Sequence, residues 1–134
     1  KFRSKNLGIV FQQYHLMSNL TALENVGVPL ENGQGGWRGR LAHFPSQLSG
    51  GECQRVALAR AMVSEPSLIL ADEPSGNLDQ KTGREIMDLI FRLCRDRGQS
   101  LILVTHNHEL AKVCDRTLIL SDGRLKPLDS TSLA

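Results

Sequence analysis

No apolar run in this chain approaches the length needed to span a bilayer, and no signal-peptide pattern is present. Any role at a membrane must therefore come through a partner. The three cysteines, Cys53, Cys94 and Cys114, are odd in number and show no C-x-x-C spacing, which fits reduced thiols of a cytosolic protein. A net charge of +2 is too small to argue for nucleic acid. Neither heptads nor internal repeats occur, so long coiled coils and solenoids are excluded. What remains is an ordinary globular composition, 40% hydrophobic and 22% charged. Its 134 residues are one domain's worth and can bury a core.

The informative stretch is residues 48–79, LSGGECQRVALARAMVSEPSLILADEPSGNLD. Ser49, Gly50 and Gly51 precede a helix-like run over 52–63. Small residues at a helix start leave backbone N–H groups and the positive end of the macrodipole facing outward, a ready anion site. Ser49 also suits a plain N-cap. Glu65-Pro66 breaks the helix. Residues 68–71 (LILA) then form an unbroken apolar run, the mark of a strand buried on both faces of a parallel sheet. Asp72 and Glu73 sit where that strand emerges, and Pro74 stops it. Ligands of open α/β sheets bind at the carboxyl ends of strands. An anion-binding helix start together with an acidic pair at a strand end points to a magnesium–phosphate site.

Along the rest of the chain, residues 7–11 (LGIVF) read as a strand after a basic polar start, with Gln12 at its end. Thr21 and Glu24 form a capping box for a short helix that ends before Pro29. Residues 31–39 hold four glycines in nine positions around Trp37 and read as a flexible linker. Apolar Ile86, Leu89, Ile90 and Leu93 recur at helical spacing within 81–97, and Gly98 suits the C-cap. A second buried strand covers 100–105, with His106 at its end. A short helix follows over 109–113, then a hairpin about Asp122-Gly123, and a polar tail over 127–134. His15, His43 and His108 have no partners at metal-ligand spacing and read as surface or capping residues.

In order, these segments resemble the motifs of ABC-type ATPases. LSGGE resembles the signature, LILADEP the Walker B strand with its catalytic glutamate, and SGNLD the D-loop. Val104-Thr105-His106 resembles the switch histidine, and Val10-Phe11-Gln12 the Q-loop. Within the family, TALENV, HFPSQLSGGE, ADEPSGNLD and DGRL are most similar to lipoprotein-releasing and macrolide-export type ATPases. The cell-division branch shares much of this pattern.

The resemblance implies an α/β fold: part of a RecA-like P-loop NTPase core, a mainly parallel sheet flanked by helices, with a shortened helical subdomain. Residues 1–30 would be the Q-loop strand and its following helix, and 31–47 a truncated helical arm. Residues 48–79 would carry the signature, Walker B and D-loop, and 80–134 the switch-histidine strand and the C-terminal hairpin. By the same resemblance Glu73 would be the general base, and Asp72 would hold Mg2+ through water. Gln12 would touch the magnesium, and His106 the γ-phosphate of ATP. Ser49, Gly50 and Gly51 would serve a nucleotide held mainly by a second ATPase subunit in a head-to-tail dimer, with Asp79 crossing the interface. Arg55 and Arg60 would serve the helix surface and its pairing. Integral-membrane permease subunits would hold the protein peripherally on the cytoplasmic face, and no nucleic acid is implied.

One departure is large. No G-x-x-x-x-G-K-[ST] loop occurs, nor an aromatic to stack on adenine, so the resemblance covers only the later part of a family domain. The parent protein reads as an ATPase of a transport or extraction complex, and these residues alone are not expected to turn over. A mechanical ATPase of the cell-division kind and a truncated partner-binding remnant are the alternatives.

Overall fold

The computed structural model describes residues 6–27 and 42–128. The glycine-rich segment 31–39 with Trp37, the basic residues 1–5 and the tail beyond residue 128 lie outside the described residues. The chain divides into two units, Lys1–Val104 and Thr105–Ala134, each described by itself.

In the first unit the elements run β1 (Leu7–Phe11), α1 (Ala22–Gly27), a 3-10 turn (Pro45–Gln47), α2 (Gly50–Met62), β2 (Leu68–Asp72), α3 (Gln80–Asp96) and β3 (Ser100–Val104). The strands form one parallel sheet in the order β1-β2-β3. Right-handed crossovers in a sheet laid down in sequence order put α2 and α3 on the same face. The core lies there. Val10, Ile69 and Ala71 from the sheet are buried with Ala57, Leu58, Ala61 and Met62 of α2 and Ile86, Met87, Ile90 and Cys94 of α3.

Burial of β2 on both faces, expected from its unbroken apolar run, is not observed. Ile69 and Ala71 are buried while Leu70 between them is only half-buried. On that second face Ile9 is 37% and Ile102 53% exposed. Both crossovers occupy the same side, so among the described residues no element of this unit covers the other.

Two local structures set the boundaries. The Thr21 capping box forms as expected: Thr21 N–H donates to Glu24 Oε2 at 2.7 Å, and Glu24 N–H to Thr21 Oγ1 at 3.3 Å. The Thr21 N–H, and then the Thr21 hydroxyl donating to the same oxygen at 2.8 Å, hold the Glu24 carboxyl below its ordinary value. Asn25 carried no sequence signal, yet it is fully buried and ties the loop before α1 to the helix. Its amide donates to the carbonyls of Met17, Leu20 and Thr21 and accepts from Met17 N–H. Helix α3 ends on Gly98 at φ +62, the left-handed position expected of it.

The second unit holds α4 (His108–Lys112) and the antiparallel hairpin β4 (Leu118–Ser121) and β5 (Arg124–Pro127). Asp122 and Gly123 both take positive φ, 52° and 72°, as a type I′ turn requires. Pro127, assigned to the tail from sequence, instead closes the hairpin opposite Leu118. It sits in the last position of the strand, where its missing N–H costs little. The three cysteines are free thiols, and burial raises all three above their ordinary values, which suits inert packing residues. Among the described residues no helix is long and apolar enough to cross a membrane.

The tightest junction between sheet and helix is at Gly8. An added Cβ there would fall on the Ala61 carbonyl oxygen and 2.7 Å from Ile69 Cδ1. Because the obstacle is helix backbone, Gly8→Ala is expected to cost about 2–3 kcal/mol. Urea denaturation checks this, and an unchanged midpoint would contradict the packing described.

Candidate functional site

Parallel register places Phe11, Asp72 and Val104 in one row across the carboxyl ends of the three strands. Asp72 is exposed there, and Glu73, half-buried, is the first residue past the edge. Glu73 has φ +44, the left-handed region that a residue with a Cβ enters at a cost of about 1–2 kcal/mol. Two backbone hydrogen bonds hold it. Its N–H donates to Val104 O, and its carbonyl accepts from Gly76 N–H, each at 2.9 Å. The chain therefore leaves β2 in a tight turn that presents Asp72 and Glu73 in succession at the sheet edge.

Gln12 stands on the other side of this turn. Its Nε2 donates to Asn77 Oδ1 at 3.1 Å, and Asn77 Nδ2 donates back to the Gln12 carbonyl, also at 3.1 Å. Gly76 lies beneath the Gln12 side chain, close enough that a Cβ would sit 2.6 Å from Nε2. Three residues beyond Gly76, Asp79 caps α3, accepting from Lys81 N–H at 3.1 Å and Thr82 N–H at 3.0 Å. The bonds from Thr82, then that from Lys81, hold the Asp79 carboxyl below its ordinary value, so the cap is made by the charged form.

The start of α2 packs onto the same region. Ser49 is its N-cap, with Oγ accepting from Glu52 N–H at 3.3 Å while Ser49 N–H donates to Glu52 Oε2 at 2.9 Å. This second capping box begins the helix at Gly50, two residues earlier than expected. Its S-x-x-E spacing, the same signal read at Thr21, was there to be found. A Cβ on Gly50 would lie 2.9 Å from the Tyr14 hydroxyl and 3.1 Å from Leu78 Cδ2, and one on Gly51 would lie 2.6 Å from Thr82 Cγ2. Both glycines thus serve close packing, and their N–H groups, in the first turn, have no partners within the helix.

Arg60 acts elsewhere than expected. Its guanidinium reaches back to the segment after β1 and donates to the carbonyls of His15 at 2.7 Å and Tyr14 at 2.9 Å. Tyr14 and His15 are both left-handed, φ 59° and 48°, and the His15 ring packs against Phe11 at 4.6 Å. Arg55 pairs with Glu85 at 3.4 Å on the surface, a contact of small energetic worth. His106 opens the second unit, exposed, just ahead of the Asn107 cap of α4.

Gln12, Asp72 and Glu73 are thus brought to adjoining strand ends, with Asp79 and the glycines of α2 packed around the following turn. Among the described residues no cluster of three or more His, Cys, Asp or Glu could hold a metal by itself. Magnesium does not need one. It binds through one or two hard oxygen ligands, substrate phosphates and water, and an exposed carboxylate beside a carboxamide meets that requirement.

The sequence model described as ABC transporter matches residues 1–76, more than half of the chain. The chain belongs to the ABC transporter family. It is 46% identical to "Lipoprotein-releasing system ATP-binding protein LolD 2" of Chlorobaculum tepidum, across 93% of this chain and 57% of the relative. Against "Uncharacterized ABC transporter ATP-binding protein YbbA" of Escherichia coli K12 it is 49% identical, across 94% of this chain and 62% of the relative. It spans roughly three-fifths of the length of these curated relatives. Among solved structures it matches the ATP-binding cassette MJ0796 in a dimeric post-hydrolysis state bound to ADP and Pi. The TM-score is 0.79 at 38% identity, covering 96% of this chain and 65% of that one. The α/β, mainly parallel architecture is that of an ABC ATPase.

Sequence reasoning missed the functions of Tyr14, Arg60 and Asn77 within this site. None has a spacing signal, because their partners are backbone carbonyls or lie far away in the chain. Arg60→Ala is expected to lower stability by about 2–3 kcal/mol, since a charged donor to two carbonyls is lost. Arg60→Lys should recover only part, because an ammonium lacks the planar fork. Urea melts of both variants check the order; equal midpoints for wild type and Arg60→Ala would remove the anchoring role.

Proposed function

We propose that these residues form the later part of an ATP-hydrolysing motor subunit of a bacterial ABC complex that releases lipoproteins or a related amphiphile. The observation that carries the catalytic reading is Glu73. It is a half-buried carboxylate in a left-handed turn at the carboxyl end of the central strand, held on both sides by backbone bonds. Strain of this kind collects where a side chain must be aimed. The lipoprotein part rests on the relatives named for that system.

In this reading Glu73 accepts a proton from the attacking water, and the turn through Gly76 fixes its direction. Asp72, through water, and Gln12 hold Mg2+, which when bound supplies charge neutralisation on the ATP phosphates. His106 contacts the γ-phosphate. Ser49, Gly50 and Gly51 turn the open N–H groups of α2 toward the γ-phosphate of a nucleotide bound by a second subunit, so the functional unit is a head-to-tail dimer. Asp79 caps α3 and reaches across that interface. The dimer works beneath integral-membrane permease subunits, on the cytoplasmic face of the membrane.

Glu73→Gln in the full-length protein tests the core of this reading. The amide keeps the shape of the side chain but takes no proton. Hydrolysis should fall by about a hundredfold or more while nucleotide binding persists. Phosphate release at the wild-type rate from purified Glu73→Gln would remove Glu73 as the base.

A second expectation concerns the 134 residues by themselves. Without a G-x-x-x-x-G-K-[ST] loop among them, most phosphate contacts are missing, and one carboxylate pair does not replace these. Titration calorimetry with ATP–magnesium should show weak binding and no turnover; a dissociation constant in the low micromolar range would contradict it.

A further inference from the structure

We propose that Asn77 is a positioning residue for the metal–phosphate site, acting by fixing which end of the Gln12 carboxamide is presented to it. A main-chain carbonyl sets the orientation. The oxygen of Gln12 accepts and never donates, so the Asn77 atom facing it at 3.1 Å must be the Nδ2 amine. That choice turns Asn77 Oδ1 to the Gln12 side chain, and an oxygen there demands a donor, so Gln12 presents Nε2 to it, at 3.1 Å. The carboxamide orientation of Gln12 is therefore dictated by its own backbone, relayed through one asparagine. Nε2 is occupied, no described residue donates to Oε1, and the hard oxygen is the end left for a cation.

Gly76 supplies the room. The Gln12 side chain lies over its Cα, with Nε2, Cδ and Cγ at 2.6, 3.1 and 3.3 Å from the position a Cβ would take. Gly76 also donates its N–H to Glu73 O, so the floor under Gln12 is the same turn that carries Glu73. The ligand at the end of β1 and the carboxylate beyond β2 are thereby set against each other by one asparagine and one glycine. This rests on the reading of Gln12 as a metal ligand, and the test separates the two.

The experiment uses the full-length protein with a saturating non-hydrolysable ATP analogue and Mn2+ as the probe, reading free Mn2+ by electron paramagnetic resonance. The variants are Gln12→Ala, Asn77→Asp, their double, and Gly76→Ala. Asn77→Asp keeps the size and the acceptor but loses the donor, and sets a carboxylate against the Gln12 carbonyl. Gly76→Ala meets only the end of a flexible side chain, so the fold tolerates it while the amide is displaced. Each single variant should raise the Mn2+ dissociation constant roughly fivefold, the worth of one net hydrogen bond. The double variant should be no weaker than Gln12→Ala alone. Wild-type affinity in Asn77→Asp and Gly76→Ala, with a loss in Gln12→Ala, would overturn the positioning role and leave Gln12 as ligand. Unchanged affinity in Gln12→Ala would overturn both. A double variant weakened by the product of the two single effects would show Asn77 acting independently of Gln12, and would also overturn the inference.

Discussion

Phe11, Asp72 and Val104 lie in one row of the parallel ladder, and the site depends on that register. A slip of one residue in β2 would carry Ile69 and Ala71 off the core face and swing Asp72 to the opposite side of the sheet. The register is pinned away from the site, at Gly8. Only a residue without a Cβ lets the Ala61 backbone of α2 lie across β1 there, with Ile69 packed alongside. Packing of ordinary apolar residues thus fixes the position of two carboxylates that take no part in it.

Beyond that row the chain is held by polar contacts. Left-handed Glu73 costs about 1–2 kcal/mol, and its two backbone bonds, worth about 1 kcal/mol each, offset it. The same economy governs the segment after β1. Tyr14 and His15 are both left-handed, and Arg60 satisfies both of their carbonyls from α2. Each distortion is held by a partner from a different element, β3 for Glu73 and α2 for Tyr14 and His15. The glycines are shared in the same way. Gly50 and Gly51 open the N-terminus of α2 while admitting Tyr14, Leu78 and Thr82 to close contact. An alanine at either position alters packing as well as any ligand contact.

The sequence made the elements legible because their signals are local. The strand over 7–11, the helix rows of 81–97, the Thr21 box and the Asp122-Gly123 turn each depend on residues within a few positions of one another. The strand-end carboxylates were legible for the same reason, since Pro74 directly follows Asp72-Glu73. The one-sided cover of β2 was not. An unbroken apolar run records what a strand tolerates on both faces, and not which crossovers lie above it. The pairing of Gln12 with Asn77 spans 65 positions, and that of Arg60 with Tyr14 and His15 spans 46 and 45. No periodicity reports contacts of that length. The first pairing follows from the parallel register, which brings the residue after one strand beside the turn after its neighbour, and the second from the packing of α2 across β1.

This arrangement also bears on how the site can move. The residues from Gln12 to His15 bury little of themselves: Gln13 and His15 are exposed, and Gln12 and Tyr14 only half-buried. They are fastened at two separate points, to the turn after β2 through Asn77 and to α2 through Arg60. Fastenings made of a few exposed or part-buried hydrogen bonds open at lower cost than the core beneath them. The turn carrying Glu73, by contrast, is continuous with β2 and bonded to β3. A force applied to the segment after β1 would therefore reach Gln12 and, through Arg60, the last turn of α2 before it disturbed Asp72 or Glu73. The structure separates a stiff part that carries the carboxylates from a looser part that carries the carboxamide, and joins them through Asn77.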